Sequence, residues 1–162
     1  MVELLAIPHR GAGPFVFGLS RAAIAGIMGS PEAIEAGKDG LGHREEEWRY
    51  EKLQLAVTFT EEDDWKLSGI AAFGANCILN GVRFIGRDIA ELHASCRSAG
   101  IGDLQLDDDY GECGVCYSCD YLGLMFWAVD GYVTTLNMLP RFDETGNRIC
   151  WPELTAFPAK LE

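Results

Sequence analysis

VRFIGRDIAELHASCRSAG, residues 82–100, decides how the chain is read. Val82-Arg83-Phe84-Ile85 is an apolar run that predicts a short strand. Gly86 and Arg87 turn the chain into Asp88, whose carboxylate can accept from the unpaired N–H groups of a first helical turn. Ile89, Leu92, Ala94, Cys96 and Ala99 follow, and Gly100 reads as the stop. The same order occurs upstream. Phe15–Phe17 is the strand, Gly18 the turn and Ser20 the cap. Ala23, Ile24, Ile27 and Met28 are the apolar stripe, and Gly29 is the stop. Two occurrences predict an α+β chain of two tandem units. Each is a helix followed by an antiparallel meander, with the helices packed on one face of the sheet. The units run over about residues 1–73 and 74–139, with a tail at 140–162, in a single domain.

The meanders are read from alternation. Trp48 and Tyr50 alternate with Glu47, Arg49 and Glu51. Leu53, Leu55, Val57 and Phe59 alternate with Gln54, Ala56, Thr58 and Thr60. Trp65–Phe73 completes the first meander. Residues 29–43 read as a loop with one helical turn at Pro31–Ala36. Asn80-Gly81 and Asp130-Gly131 are hairpin turns, because a type I′ turn needs positive φ at both positions. Val115–Tyr121, Leu122–Val129 and Tyr132–Leu139 are the later strands, and Asp107–Gly111 reads as an acidic turn. Trp151 and Phe157 are candidate anchors of the tail. Leu161-Glu162 reads as the scar of an affinity tag and is assigned no function.

Composition narrows the function classes. With 48% apolar and 23% charged residues the chain is expected to be globular and not disordered. A net charge of −12 disfavours nucleic acid and anionic membranes and suits a basic protein partner. No apolar run approaches the roughly 20 residues that span a bilayer. The amino terminus has no cationic start followed by a long apolar run, so a cytoplasmic location is expected. There, six cysteines would be thiols, metal ligands or small core residues.

Residues 101–131 carry Asp103, Asp107, Asp108, Asp109, Glu112, Asp120 and Asp130 with no Lys or Arg. Asp107, Asp108, Asp109 and Glu112 are therefore the candidate contacts to a basic partner, although a solvated acidic loop has the same composition. They do not follow the EF-hand spacing. The aromatic strand residues Trp48, Tyr50 and Trp127 are the candidate anchors on an open sheet face, against the alternative that each is core.

Cys113-x-x-Cys116-x-x-Cys119 is the most patterned cysteine run. With His93-x-x-Cys96 it suggests a zinc site of His93, Cys96, Cys113 and Cys116. Strand alternation opposes it, because Cys116 would point away from Cys113 and Cys119. The Cys113/Cys116 spacing also occurs in redox dithiols, but an apolar strand follows here where that chemistry wants a helix. His9, His43 and His93 are isolated, no nucleophile elbow or phosphate loop is present, and Glu45-Glu46-Glu47 reads as a charged strand edge. A non-enzymatic binding module with no cofactor is the leading expectation. A zinc-stabilised domain and an enzyme of unrecognised type are the alternatives.

Several motifs occur in pairs. Gly18-Leu19-Ser20 and Gly86-Arg87-Asp88 precede the two helices. Trp48-x-Tyr50 before Leu53-x-Leu55 is matched by Cys119-x-Tyr121 before Leu124-x-Phe126. With these the chain resembles the β-lactamase-inhibitor-protein-like architecture over roughly residues 14–139. The resemblance implies two antiparallel units side by side, helices on one face, a concave sheet face for proteins or peptides, and no chemistry. The second unit has Cys119 where the first has a tryptophan, and no disulfide pairing within each unit is recognisable. By composition the chain is also similar to acidic immunity proteins that neutralise basic toxins.

Overall fold

Residues 2–154 are described by the computed structural model. The candidate anchor Phe157 and the Leu161-Glu162 pair lie outside the described residues. The fold is α+β, with two α-helices among the described residues and sheets that are mostly antiparallel.

The chain opens with three short strands, β1 (Leu4–Ile7), β2 (Gly11–Ala12) and β3 (Phe15–Val16), before α1 (Arg21–Met28). Ser20 caps α1, its hydroxyl accepting from the Ala23 N–H at 3.1 Å, and Gly29 ends it at φ 77°. A four-stranded meander follows: β4 (Ala33–Lys38), β5 (Arg44–Tyr50), β6 (Leu55–Thr60) and β7 (Leu67–Ala72). After β8 (Cys77–Leu79) comes α2 (Ile89–Ser98), capped by Asp88, whose carboxylate accepts from the Ala90 N–H at 2.9 Å. The later strands are β9 (Gln105–Asp109), β10 (Val115–Cys119), β11 (Leu124–Val129) and β12 (Tyr132–Met138). A small hairpin, β13 (Arg141–Phe142) with β14 (Ile149–Cys150), ends the described chain.

The two meanders join into one eight-stranded sheet of order β4-β5-β6-β7-β12-β11-β10-β9. The junction is the antiparallel pair β7–β12, in register at Ala72–Leu136, Ala71–Asn137 and Ile70–Met138. A four-stranded sheet of order β3-β2-β1-β8 stands apart from it, with β1 and β8 parallel.

Alternation decides which face is buried. Trp48, Tyr50, Leu55, Val57, Phe59, Leu67, Leu136, Leu124 and Phe126 all belong to the core. Ile24 of α1 and Leu92 and Cys96 of α2 are in the same cluster. Phe15 of β3 packs edge-on against Tyr50 at 5.3 Å, and Phe84, from the loop before α2, lies tilted against Phe126 at 5.1 Å, so aromatics from outside the large sheet fill the layer beneath it.

Four expectations change. Val82–Ile85 is not a strand: Asn80 and Gly81 make the turn with φ of 48° and 79°, but only Val82 then pairs, with Leu79, before Phe84 is drawn into the core. Pro31–Ala36 is not helical. Ala33–Lys38 instead forms edge strand β4, because pairing with β5 satisfies its backbone. Asp107–Asp109 are not in a turn but at the end of β9, and the turn is Tyr110–Gly114. The tail is not wholly irregular, since it carries the β13–β14 hairpin and packs Trp151 over Gly18.

Candidate functional site

The outer face of the large sheet is built from residues that alternate with the core. One row across it reads Arg49, Ala56, Ala71, Asn137, Met125 and Ser118, each opposite the next in register. The middle positions are small. A shallow groove of about 290 Å3 follows, lined by Thr58, Ser68, Gly69, Ala71, Met125 and Asn137. At one end Arg49 lies 2.9 Å from the Glu47 carboxylate. At the other, Tyr110 stacks on Trp127 with ring centroids 5.6 Å apart and planes 17° from parallel.

The Tyr110–Trp127 pair depends on the turn beside it. The Tyr110 N–H donates to the Gly114 carbonyl at 2.9 Å. Gly114 has φ 125°, and a Cβ there would lie 2.9 Å from the Ala128 carbonyl oxygen, so no other residue fits without displacement. The Tyr110 hydroxyl donates to Asp108 at 3.0 Å, which with the surrounding negative charge raises its pKa. The pair thus presents two rigid rings beside a carboxylate.

β9 is an edge strand and all five of its residues are exposed. Its register with β10 shifts between Cys116 and Tyr117, leaving Asp107 as the extra residue of a bulge. Asp109 accepts from the Gly111 N–H at 2.9 Å, and Glu112 is exposed in the single helical turn Gly111–Cys113. The nearby ion pair, Arg97 with Asp103 at 3.7 Å, does not reach them. Among the described residues no cation pairs with Asp107, Asp108, Asp109 or Glu112.

Trp127 is on this outer face. Trp48 and Tyr50 are not: they are 7% and 4% exposed, and the expectation that they anchor a partner is corrected. Trp48 sits on Phe59 at 4.9 Å. The Tyr50 hydroxyl donates to the Gly29 carbonyl at 3.0 Å, tying β5 to the end of α1, and burial pushes its pKa up to about 12.

The four expected zinc donors do not converge. His93 packs edge-on against Tyr117 beneath the sheet at 5.1 Å. Cys96 is also beneath it, where burial, with Cys119 beside it, pushes its thiol up to about 11. Cys116 pairs with Trp127 on the outer face, its thiol raised by burial and by Asp107 and Asp108, and Cys113 is exposed in the turn. The physical reason is strand alternation, which sends neighbouring residues of β10 to opposite faces.

A cluster that sequence reading missed is Asp39, His43 and Glu62, whose ligand-capable atoms lie within 4.8 Å of one another. Asp39 organises the β4–β5 turn by accepting from the Leu41 and His43 N–H groups at 2.8 and 2.9 Å. His43 Nδ1 is 3.1 Å from Asp39 and 3.4 Å from Glu62. The signal was the loop sequence Asp39-Gly-Leu-Gly-His43, an Asp positioned to bond backbone ahead of it. Glu62 comes from a distant turn, which no local pattern reveals. These three residues could hold a cation, but the imidazole between the carboxylates already supplies their partner.

No family model, no curated protein and no solved structure matches this chain, so the reading of its surface rests on the residues themselves.

Proposed function

We propose that the chain is a non-enzymatic, acidic protein-binding module whose partner is a basic protein, with the profile of an immunity protein that neutralises a basic toxin or enzyme. The observation that carries the reading is the Tyr110–Trp127 stack beside the carboxylates of Asp107, Asp108, Asp109 and Glu112, which no cation pairs among the described residues. Rigid aromatic rings serve as the anchors of an interface, and uncompensated acids around them steer and select a basic surface. The six cysteines are all unpaired, which suits a reducing compartment such as the cytoplasm.

The same proposal reads the chain as two copies of one unit. The strand order is mirrored about the β7–β12 junction. In one half the helical turn Glu51–Leu53 leads through left-handed Gln54 into β6; in the other, Asp120–Leu122 leads through left-handed Gly123 into β11. Matching those turns pairs Trp48-Arg49-Tyr50 with Tyr117-Ser118-Cys119, two residues before the match that the W-x-Y pattern suggests.

The test is affinity capture from the source extract, with mass spectrometry, comparing wild type with Trp127→Ala and with the triple change of Asp107, Asp108 and Asp109 to Asn. A basic protein held by wild type is expected to lose about 2 kcal/mol or more of binding with Trp127→Ala. Its affinity should fall with added salt in wild type and less steeply in the Asn variant. Binding that ignores both changes overturns the proposal.

A further inference from the structure

The large sheet ends in two edges, and they are built differently. β9 carries three adjacent aspartates and a bulge at Asp107, both of which oppose pairing with another chain. β4, at the other end, reads Ala33-Ile34-Glu35-Ala36-Gly37-Lys38 and is regular throughout. Every residue of β4 is exposed, Ile34 at 54%, so no other part of the described chain covers this edge. Glu45, Glu46 and Glu47, which the sequence suggests as a charged edge, lie one strand further in, on β5.

The pairing with β5 fixes where the backbone groups of β4 point. The Asp39 N–H donates to the His43 carbonyl at 2.8 Å, which makes that pair a hydrogen-bonded one. Such pairs alternate along an antiparallel ladder. Gly37, Glu35 and Ala33 therefore turn their N–H and C=O groups toward β5, and Lys38, Ala36 and Ile34 turn theirs outward. Side chains divide with the same period. Ile34 stands opposite the buried Trp48, so Ile34, Ala36 and Lys38 are on the core side and Ala33, Glu35 and Gly37 on the outer face.

A regular row of outward N–H and C=O groups is a template for one more strand. The charges on β4 select what that strand is. When two copies of β4 pair antiparallel about a two-fold axis, outward-turned residues must meet outward-turned residues, which leaves few registers. Centring on Glu35 sets Glu35 against Glu35, centring on Gly37 sets Glu35 against Asp39, and centring on Lys38 brings two ammonium groups together. Centring on Ile34 shortens the ladder to residues 33–35. Centring on Ala36 has none of these faults. Ala36 meets Ala36, Glu35 has room against Gly37, and Ile34 lies along the aliphatic stem of Lys38. The Lys38 ammonium then falls diagonally beside Glu32, which continues the line of β4 by donating its N–H to the Arg49 carbonyl.

We propose that β4 is the interface of a homodimer, in which residues 34–38 of two copies pair antiparallel about Ala36 and the two large sheets run on as one. The fold already contains a join of this kind, since β7 and β12 unite the two meanders edge to edge through three antiparallel residue pairs. Nothing in this rests on the β9 surface, which stays free at the far ends of the dimer. The contact is smaller than the roughly 1,600 Å2 of a standard interface, so the dimer is weak, with a dissociation constant of about 10–100 μM. A net charge of −12 on each chain opposes association at low salt. At about 0.15 M salt screening confines that repulsion to about 8 Å.

Sedimentation velocity on the full chain, reduced and at about 0.15 M salt, should show a monomer at about 5 μM passing to a dimer by about 1 mM. Ala36→Pro removes an outward N–H and no bond to β5, a place where an edge strand accepts proline. It should leave the thermal midpoint near wild type and weaken the dimer about tenfold or more. The register is read by cross-linking in a background with the exposed Cys113 and Cys150 changed to Ser. There Ala36→Cys should form a disulfide-linked dimer under a mild thiol oxidant, because paired Cα atoms about 5.5 Å apart suit a disulfide, whereas Ile34→Cys should not. A chain that stays monomeric to about 1 mM, a dimer that survives a folded Ala36→Pro, or Ile34→Cys cross-linking as readily as Ala36→Cys overturns the proposal.

Discussion

His43 sits between two carboxylates, and that position has a pH signature. Its hydrogen bond with Asp39 raises its pKa above the ordinary imidazole value, with Glu62 and Glu61 adding to this against partial desolvation. Partial desolvation works to raise the Asp39 carboxyl, but the N–H groups of His43 and Leu41 and the imidazole outweigh it and hold the pKa low. A group whose pKa is raised on folding stabilises the fold below its unfolded value of about 6.5, and that contribution is lost as pH rises through the folded value. Thermal midpoints of wild type and His43→Gln should therefore differ most near about pH 5.5 and converge by about pH 8.5, which sinks this account if the gap widens instead. The hairpin turns at Asn80-Gly81 and Asp130-Gly131 were legible for a local reason, since both positions in each must adopt positive φ and do. His9 was not legible. Its left-handed backbone and its bond to Tyr121 come from a contact 112 residues away.

At the scale of elements, both helices were readable because their signals are local: an oxygen-bearing cap, an apolar stripe, a glycine. The helices are short, eight and ten residues, so each cap matters. Ser20→Ala and Asp88→Ala should each cost about 1 kcal/mol, measured as a lower urea midpoint with unchanged slope. β4 was misread because Ala-Ile-Glu-Ala-Gly-Lys favours a helix as much as a strand, and the ladder offered by β5 decides. β9 was misread as a turn because three adjacent aspartates are rare in strands. At an open edge they remain solvated, and they discourage pairing with another chain. The acid row was thus visible in sequence as a charge but not as a strand edge. The Tyr110 ring that makes it a surface arrives through the Gly114 turn.

At the scale of the molecule, α+β character and the meanders followed from alternation, whereas the way the meanders join did not. That junction rests on three residue pairs between β7 and β12. Leu136 lies in it and is 1% exposed. Leu136→Ala should cost about 2–5 kcal/mol by opening a cavity in a shared core. Wild type and variant should still unfold in one step, with tryptophan fluorescence and far-ultraviolet circular dichroism superimposing. Two separated transitions would mean that the halves fold independently. The zinc expectation failed for the reason that strand alternation already raised against it: Cys116 lies on the outer face of the sheet, whereas His93 and Cys96 lie beneath it.

The parallel pairing of β1 with β8 bears on how the chain leaves the ribosome. Leu4, Leu5 and Ala6 pair with Cys77, Ile78 and Leu79, so one edge of β1 stays open until residue 79 has been made. β7 likewise waits for residues 136–138. Most of the chain must therefore be synthesised before either sheet is complete, and during that interval the nascent protein exposes strand edges that the finished fold covers.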